Sequence, residues 1–307
     1  MGHGYREYET KLTRAFVTTA GYLVRLLANH KGFFDDCTHI IIDEVHERSV
    51  DTDLLCLLTK RLLSTHPNIR LILMSATVAA ELYRDYFGIS QPPVFVGVRK
   101  FPIEITYLEE IPKRLCFSKK ETKVIDEIQE KCQSLRCRSP PNLHYMAKLH
   151  ELAVQIAVRV GKQGSSVLIF VPGIADIVAI MELFEGIERT GLKYKCIPLH
   201  SEVPFEEQMS IFKTAEVGEV KIVIGTNAAE SSLTIRDIDH VICTRLCKQI
   251  IYNEKSHRQM LELSWISQAS AQQRAGRTGR VRKGNVYRLY PKTMFENNMA
   301  HFELGEM

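Results

Sequence analysis

Short apolar runs alternate with amphipathic stretches along most of this chain. Residues 22–27 carry apolar side chains at helical spacing and end in the loop-like Asn29-His30-Lys31-Gly32. The β-branched run Ile40-Ile41-Ile42 reads as a parallel strand buried between helices on both faces, because such strands carry continuous apolar residues. Leu54, Leu55, Leu57, Leu58 and Leu62 recur at helical spacing and are closed by His66-Pro67-Asn68. A second apolar strand over residues 69–74 runs into Ser75-Ala76-Thr77, and Gln91-Pro92-Pro93 marks a later loop. Strands are expected around Val94 and over residues 103–107, bracketing Arg99-Lys100-Phe101-Pro102.

Residues 111–142 are rich in Lys, Glu and Arg and end in Ser139-Pro140-Pro141-Asn142, which predicts an exposed excursion. The alternation then returns. Met146, Leu149, Leu152, Ala153, Ile156 and Val160 line one face of a helix over residues 144–160. Strands follow at 166–171, 194–199, 220–225, 239–243 and 285–290, with helices between most of them. Strand–helix alternation argues for parallel sheets with right-handed crossovers. The expected fold class is therefore α/β, in two tandem domains over residues 1–98 and 99–307, with the charged excursion in the second.

Composition narrows the class without naming a chemistry. The 45% hydrophobic and 25% charged fractions suit an ordinary globular protein. No apolar run approaches the ~18 residues of a membrane span. The first residues lack a signal-peptide core, and Arg6 stands where a myristoylation signal has Ser or Thr. A net charge of +4 is mild, so local clusters carry the signal for nucleic acid. Of eight cysteines, only Cys132/Cys137 and Cys243/Cys247 lie close together, and neither pair has zinc-site spacing. Reduced thiols in a cytoplasmic or nuclear protein are expected.

Four polar clusters sit at predicted strand ends or helix starts. Asp43-Glu44-Val45-His46-Glu47-Arg48 follows the first strand, and open α/β sheets take ligands outside the carboxyl ends of their strands. There Asp43 can hold the water shell of a Mg²⁺ ion while Glu44 orients and deprotonates water. A solvated helix start is the plainer alternative. Thr18-Thr19 and Ser75-Ala76-Thr77 suit hydrogen bonds to phosphate, or helix capping. Thr226 to Ser232 is rich in hydroxyls and amides, a composition suited to a sugar–phosphate backbone. Arg274, Arg277, Arg280 and Arg282 fall within nine residues with Gly276 and Gly279 between them. Guanidinium forks match the oxygens of a transferring phosphoryl group, although a basic face against RNA or solvent would look similar.

Asp43-Glu44-Val45-His46, Ser75-Ala76-Thr77, residues 226–235 (TNAAESSLTI) and residues 273–280 (QRAGRTGR) resemble, in order and spacing, motifs II, III, V and VI of the DEAH-box RNA helicases of superfamily 2. Thr18-Thr19 falls where motif Ib is expected. Phe170-Val171-Pro172-Gly173 and Leu199-His200-Ser201 resemble the motif IV region. The resemblance implies two tandem RecA-like domains, an ATP-dependent RNA helicase or ribonucleoprotein remodeller, and two sheets closing on ATP and single-stranded RNA. By the same resemblance, Asp43 and Glu44 would serve Mg²⁺ and the attacking water, and His46 would couple to Ser75 and Thr77. Gln273 would lie near the γ-phosphate, with Arg277 and Arg280 as fingers. Phe212, Thr234 and Asp237 would contact the nucleotide. Thr18, Thr19, Thr226, Asn227 and Ser232 would meet the RNA, and residues 250–264 match a strand-parting hairpin. The implied partners are RNA, single-stranded or duplex with an overhang, and protein activators, with no membrane.

The sequence departs from the family pattern in several places. It contains no G-x-x-x-x-G-K-[ST]; Gly161-Lys162 has Ile156 and Gln163 where that loop needs Gly and Ser or Thr. A partial helicase, with the first RecA-like domain truncated and the auxiliary domains absent, is therefore expected. Such a chain alone would hydrolyse ATP poorly. The alternative is a non-catalytic RNA-binding or scaffold module derived from such a helicase. Arg236 stands where many members place a ribose-contacting Asp, leaving Asp237 as the substitute. The FVPG tract and Leu263-Ser264-Trp265-Ile266-Ser267 lean toward the spindle-E-like subgroup.

Overall fold

The computed structural model describes residues 10, 12–75, 80–96, 101–134, 143–187, 191–204, 208–231, 235–253 and 257–302. The chain forms two compact units, one running to Val96 and the other from Gly97 to Glu303.

In the first unit, helix α1 (Ala20–Asn29) is capped by Thr19, whose hydroxyl accepts from the Tyr22 N–H at 3.3 Å. Strands β1 (His39–Ile42) and β2 (Arg70–Leu73) pair in parallel with Ile42 opposite Leu73. Between them runs α2 (Val50–Thr65), capped by Ser49, and α3 (Ala80–Phe87) follows β2. Leu26, Phe34, Ile40, Ile42, Val45, Leu55, Ile69 and Tyr83 form the core. Full burial of one such aliphatic side chain stabilises the fold by about 1.5–3 kcal/mol. Two expectations are corrected here. β1 is not covered on both faces: Ile40 and Ile42 are buried, while Ile41 between them is 57% exposed. No strand forms around Val94; Val94, Phe95 and Val96 are irregular and exposed.

The second unit is built on a six-stranded parallel sheet. Its strands are β3 (Ile103–Tyr107), β4 (Ser166–Phe170), β5 (Lys193–Leu199), β6 (Glu219–Gly225), β7 (His240–Cys243) and β10 (Gly284–Arg288), in the order β3-β10-β7-β4-β6-β5. β4 is buried at every position, as the interior strand of a sheet covered on both faces must be. An antiparallel hairpin, β8 (Leu246–Asn253) and β9 (Arg258–Trp265), leaves the sheet after β7 with Ile250 opposite Leu261. Its span contains the predicted strand-parting segment.

The charged stretch after β3 is not an exposed excursion. Residues 111–134 form α4 (Ile111–Arg114) and α5 (Lys119–Ser134), and Ile111, Ile125, Ile128 and Cys132 enter the main core. The apolar positions of α5 pack with α6 (Leu143–Val160), while Lys119, Lys120 and Lys123 stay exposed. Helix α7 (Ile174–Glu185) follows β4. The seven cysteines among the described residues are free thiols. No helix among these residues is long and apolar enough to cross a membrane.

Candidate functional site

Asp43 to Arg48 forms a turn at the carboxyl end of β1. The turn hangs from the neighbouring strand: Met74 N–H donates to Ile42 O at 2.8 Å and Val45 N–H to Met74 O at 3.1 Å. The acidic turn therefore lies beside Ser75, as parallel strand ends require. Both ends of the turn are strained. Glu44 (φ 54°) and Arg48 (φ 52°) adopt the left-handed conformation, which costs a non-glycine residue about 1–2 kcal/mol. Tertiary bonds offset this cost. Arg48 grips Asp53 through Nε (2.8 Å to Oδ1) and Nη2 (2.8 Å to Oδ2), a pairing that raises the guanidinium above its ordinary value. The Tyr83 hydroxyl on α3 donates to the Val45 carbonyl, and burial pushes that phenol up to about 12.

The turn gathers two carboxylates and an imidazole. Asp43 is exposed; its Oδ1 accepts from the Glu44 N–H at 2.8 Å. His46 Nδ1 lies 3.4 Å from Glu44 Oε2. Mg²⁺ keeps several waters and takes only one or two carboxylates, so an exposed Asp43 beside Glu44 fits that ion although no three-residue cluster of ligand side chains occurs among the described residues. Thr77, Ser232 and Thr234, three of the predicted site residues, lie outside the described residues.

In the second unit the candidate residues divide between the two ends of the sheet. At the amino end, Lys221 is buried and donates from Nζ to Asp237 Oδ2 at 2.6 Å and to the carbonyls of Ile211 and Lys213 at 3.0 Å. Asp237 also accepts from Ser166 Oγ at 3.2 Å. Its carboxylate thus serves a structural ion pair that the ribose reading did not foresee. The same lysine fixes the turn Met209–Phe212. There Ile211 takes the core position and Phe212 is 48% exposed.

The four arginines, alike in sequence, have different surroundings. The helix Gln268–Ala275, capped by Ser267, runs toward this amino end, and Thr278 pins the following loop through Oγ1 to Ile238 O (2.7 Å) and Asp239 O (3.0 Å). Gly279 (φ 75°) passes so close to Ile103 that a Cβ would lie 2.7 Å from its side chain. Arg282 pairs with Asp239, Nη2 to Oδ2 at 2.7 Å. Gln273, Arg277 and Arg280 are half-buried. Burial lowers the Arg280 guanidinium from its ordinary value, and no other described residue pairs with it.

Arg274 is fully buried at the carboxyl end. It donates to Glu230 Oε2 (3.0 Å), Asn227 Oδ1 (2.7 Å) and Leu246 O (3.2 and 3.3 Å), and lies over the Phe170 ring. Burial opposes its charge, and the Cys243 sulfur and Glu230 carboxylate more than offset that. One side chain thus joins the end of β4 to the segments after β6 and β7. Asn227 consequently has its carbonyl engaged, and Thr226 is buried. Thr18 remains exposed while Thr19 caps α1. Sequence reasoning missed Tyr83, Asp53, Glu230 and Lys248. The last lies against Gly173, where a Cβ would come within 2.9 Å of its Nζ.

Fold and site together define a tandem α/β protein with an acidic turn on one sheet and an arginine loop on the other. The DEAD/DEAH box helicase family matches residues 3–85, and the helicase conserved C-terminal domain matches residues 146–282. The chain belongs to the DEAD/DEAH-box helicases, and its units are tandem RecA-like domains. The putative ATP-dependent RNA helicase YLR419W of Saccharomyces cerevisiae is 35% identical over 96% of this chain and 21% of its own length. Human ATP-dependent RNA helicase DHX30 is 35% identical over 94% of the chain and 23% of its own. ATP-dependent RNA helicase TDRD9 of Danio rerio is 33% identical over 99% and 23%. The Escherichia coli DEAH/RHA helicase HrpB superposes with a TM-score of 0.71 at 25% identity, covering 92% of this chain and 32% of that one. The chain spans about a fifth of the length of the curated relatives it matches.

Proposed function

We propose that these residues belong to an ATP-dependent RNA helicase or ribonucleoprotein remodeller of DEAH-box type. The observation that carries the reading is the Asp43–His46 turn, held beside Ser75 at paired strand ends within the stretch that matches the helicase family. Glu44 takes the proton of the attacking water, with His46 setting its orientation. Asp43 would hold Mg²⁺, which when bound would neutralise charge on the triphosphate. Gln273, Arg277 and Arg280 face the γ-phosphate, and Phe212 stacks on the base. Thr18 and Asn227 contact the RNA backbone, which grips without reading sequence.

The sequence has no G-x-x-x-x-G-K-[ST] loop, whose amides and lysine cradle phosphates. We infer that the 307 residues alone turn over ATP poorly, and that a form of the protein also carrying such a loop is an RNA-stimulated ATPase. The same missing motif favours the second reading, a non-catalytic RNA-binding module. Steady-state ATP hydrolysis by both forms, with and without single-stranded RNA or DNA, tests this. Turnover by the 307 residues that Glu44→Gln abolishes would refute the inferred deficiency. RNA binding without turnover in the loop-carrying form would favour the module.

A further inference from the structure

We propose that Tyr83 is a positioning residue for the acidic turn, its hydroxyl latching the peptide between Val45 and His46 so that Glu44 and His46 keep their working orientation. This rests on the hydrolytic reading of that turn.

The turn needs an external hold because left-handed Glu44 and Arg48 bracket it. Its far end is clamped by Arg48 on Asp53, and its first amide by Val45 N–H on Met74 O. The peptide between Glu44 and His46 is held otherwise. Its carbonyl, that of Val45, accepts from the Tyr83 hydroxyl and from the Arg48 N–H at a long 3.5 Å. The phenol is the stronger donor. Tyr83 is 6% exposed and Val45 1%, so water has little access to replace the bond. A buried carbonyl that loses its partner recovers one by moving. Movement there swings the peptide that joins the two candidate catalytic side chains. Because Tyr83 stands on the helix that follows β2 and Ser75, the hydroxyl also ties the segment after one strand to the turn after the other.

The decisive variant is Tyr83→Phe, which keeps the ring and removes only the hydroxyl. Tyr145→Phe is the control: it also deletes a buried hydroxyl, one that lies 3.1 Å from Cys132 in the second unit. In the 307-residue chain, Tyr83→Phe is expected to speed deuterium exchange of the Glu47 and Arg48 amides about tenfold, with α2 protection unchanged. In a loop-carrying form it is expected to lower kcat about five- to tenfold with the KM for ATP unchanged. Tyr145→Phe should do neither. Unaltered exchange at the turn, or kcat and KM that stay at wild-type values or shift together, would overturn the proposal. If the unmutated loop-carrying form is inactive, the function proposed above fails, and the exchange experiment alone decides the latch.

Discussion

Arg274 donates from Nε to Glu230 Oε2 at 3.0 Å, inside a pocket where the guanidinium has no exposure to solvent. The bond joins the helix Gln268–Ala275 to the segment after β6, and the Leu246 carbonyl extends the junction to the base of the β8–β9 hairpin. Removing one partner of a buried pair leaves the other charged and unpaired. Glu230→Ala should therefore lower the unfolding free energy of the second unit by about 3–5 kcal/mol. Urea unfolding followed by circular dichroism measures it. A loss below about 1 kcal/mol would show that Asn227 and Leu246 suffice to hold the arginine.

Arg280 has the opposite character, being half-buried with no partner among the described residues. In a loop-carrying form, Arg280→Ala should lower kcat by about 10³-fold or more while leaving thermal stability near wild type. The pairing of a kinetic loss at Arg280 with a stability loss at Glu230 would separate finger from scaffold. Equal stability losses at both positions would contradict that division.

His240, at the start of β7, is lowered by burial to about 4 despite the nearby Asp239; Lys162, Arg282 and Arg114 push in the same direction as burial. The folded state keeps the ring neutral, whereas the unfolded chain binds a proton below about 6.5. The resulting stability, about 3 kcal/mol, is fully present above pH 6.5 and is lost as pH falls from 6.5 to 4. Glu104 and Glu121, held near 2 by Arg114 with Lys283 and by Ser118 with Arg159, act only below about 4.5. Unfolding titrations of His240→Gln at pH 7 and 5 should show a smaller difference than wild type. An unchanged slope between those pH values would count against a buried neutral ring.

Lys248 stands exposed over Gly173 at the carboxyl end of the second sheet. Lys248→Ala should weaken single-stranded RNA binding equally for unrelated sequences and flatten the salt dependence by about 0.7 in log–log slope. Fluorescence anisotropy across salt concentrations reads this directly. A sequence-dependent effect would place the lysine at a base instead.

The legible parts of this chain were those set by neighbours in sequence. The acidic turn follows its strand directly, and each parallel strand of the second sheet overlaps an expected strand. By residue type and spacing alone Arg274 is not distinguishable from Arg280, and the family resemblance that singles out Arg277 and Arg280 as fingers does not place Arg274; which arginine enters the core depends on where β4, β6 and β7 end in space. Residues 94–96 look like a strand by composition, yet they remain irregular among the described residues. The core-facing side of α5 is legible in the sequence as well. Ile125, Ile128 and Cys132 sit at helical spacing, a signal that the surrounding lysines and glutamates obscured. Asp53 and Tyr83 gave no sign at all, since each acts through a backbone or side-chain partner that only the folded turn supplies.

The most direct test of the central claim is ATP turnover by a loop-carrying form with Glu44 intact or changed to Gln, in the presence and absence of single-stranded RNA. The expected result is RNA-stimulated hydrolysis that falls at least about 100-fold in Glu44→Gln with RNA binding retained. Hydrolysis that survives Glu44→Gln, or is indifferent to RNA, would contradict it.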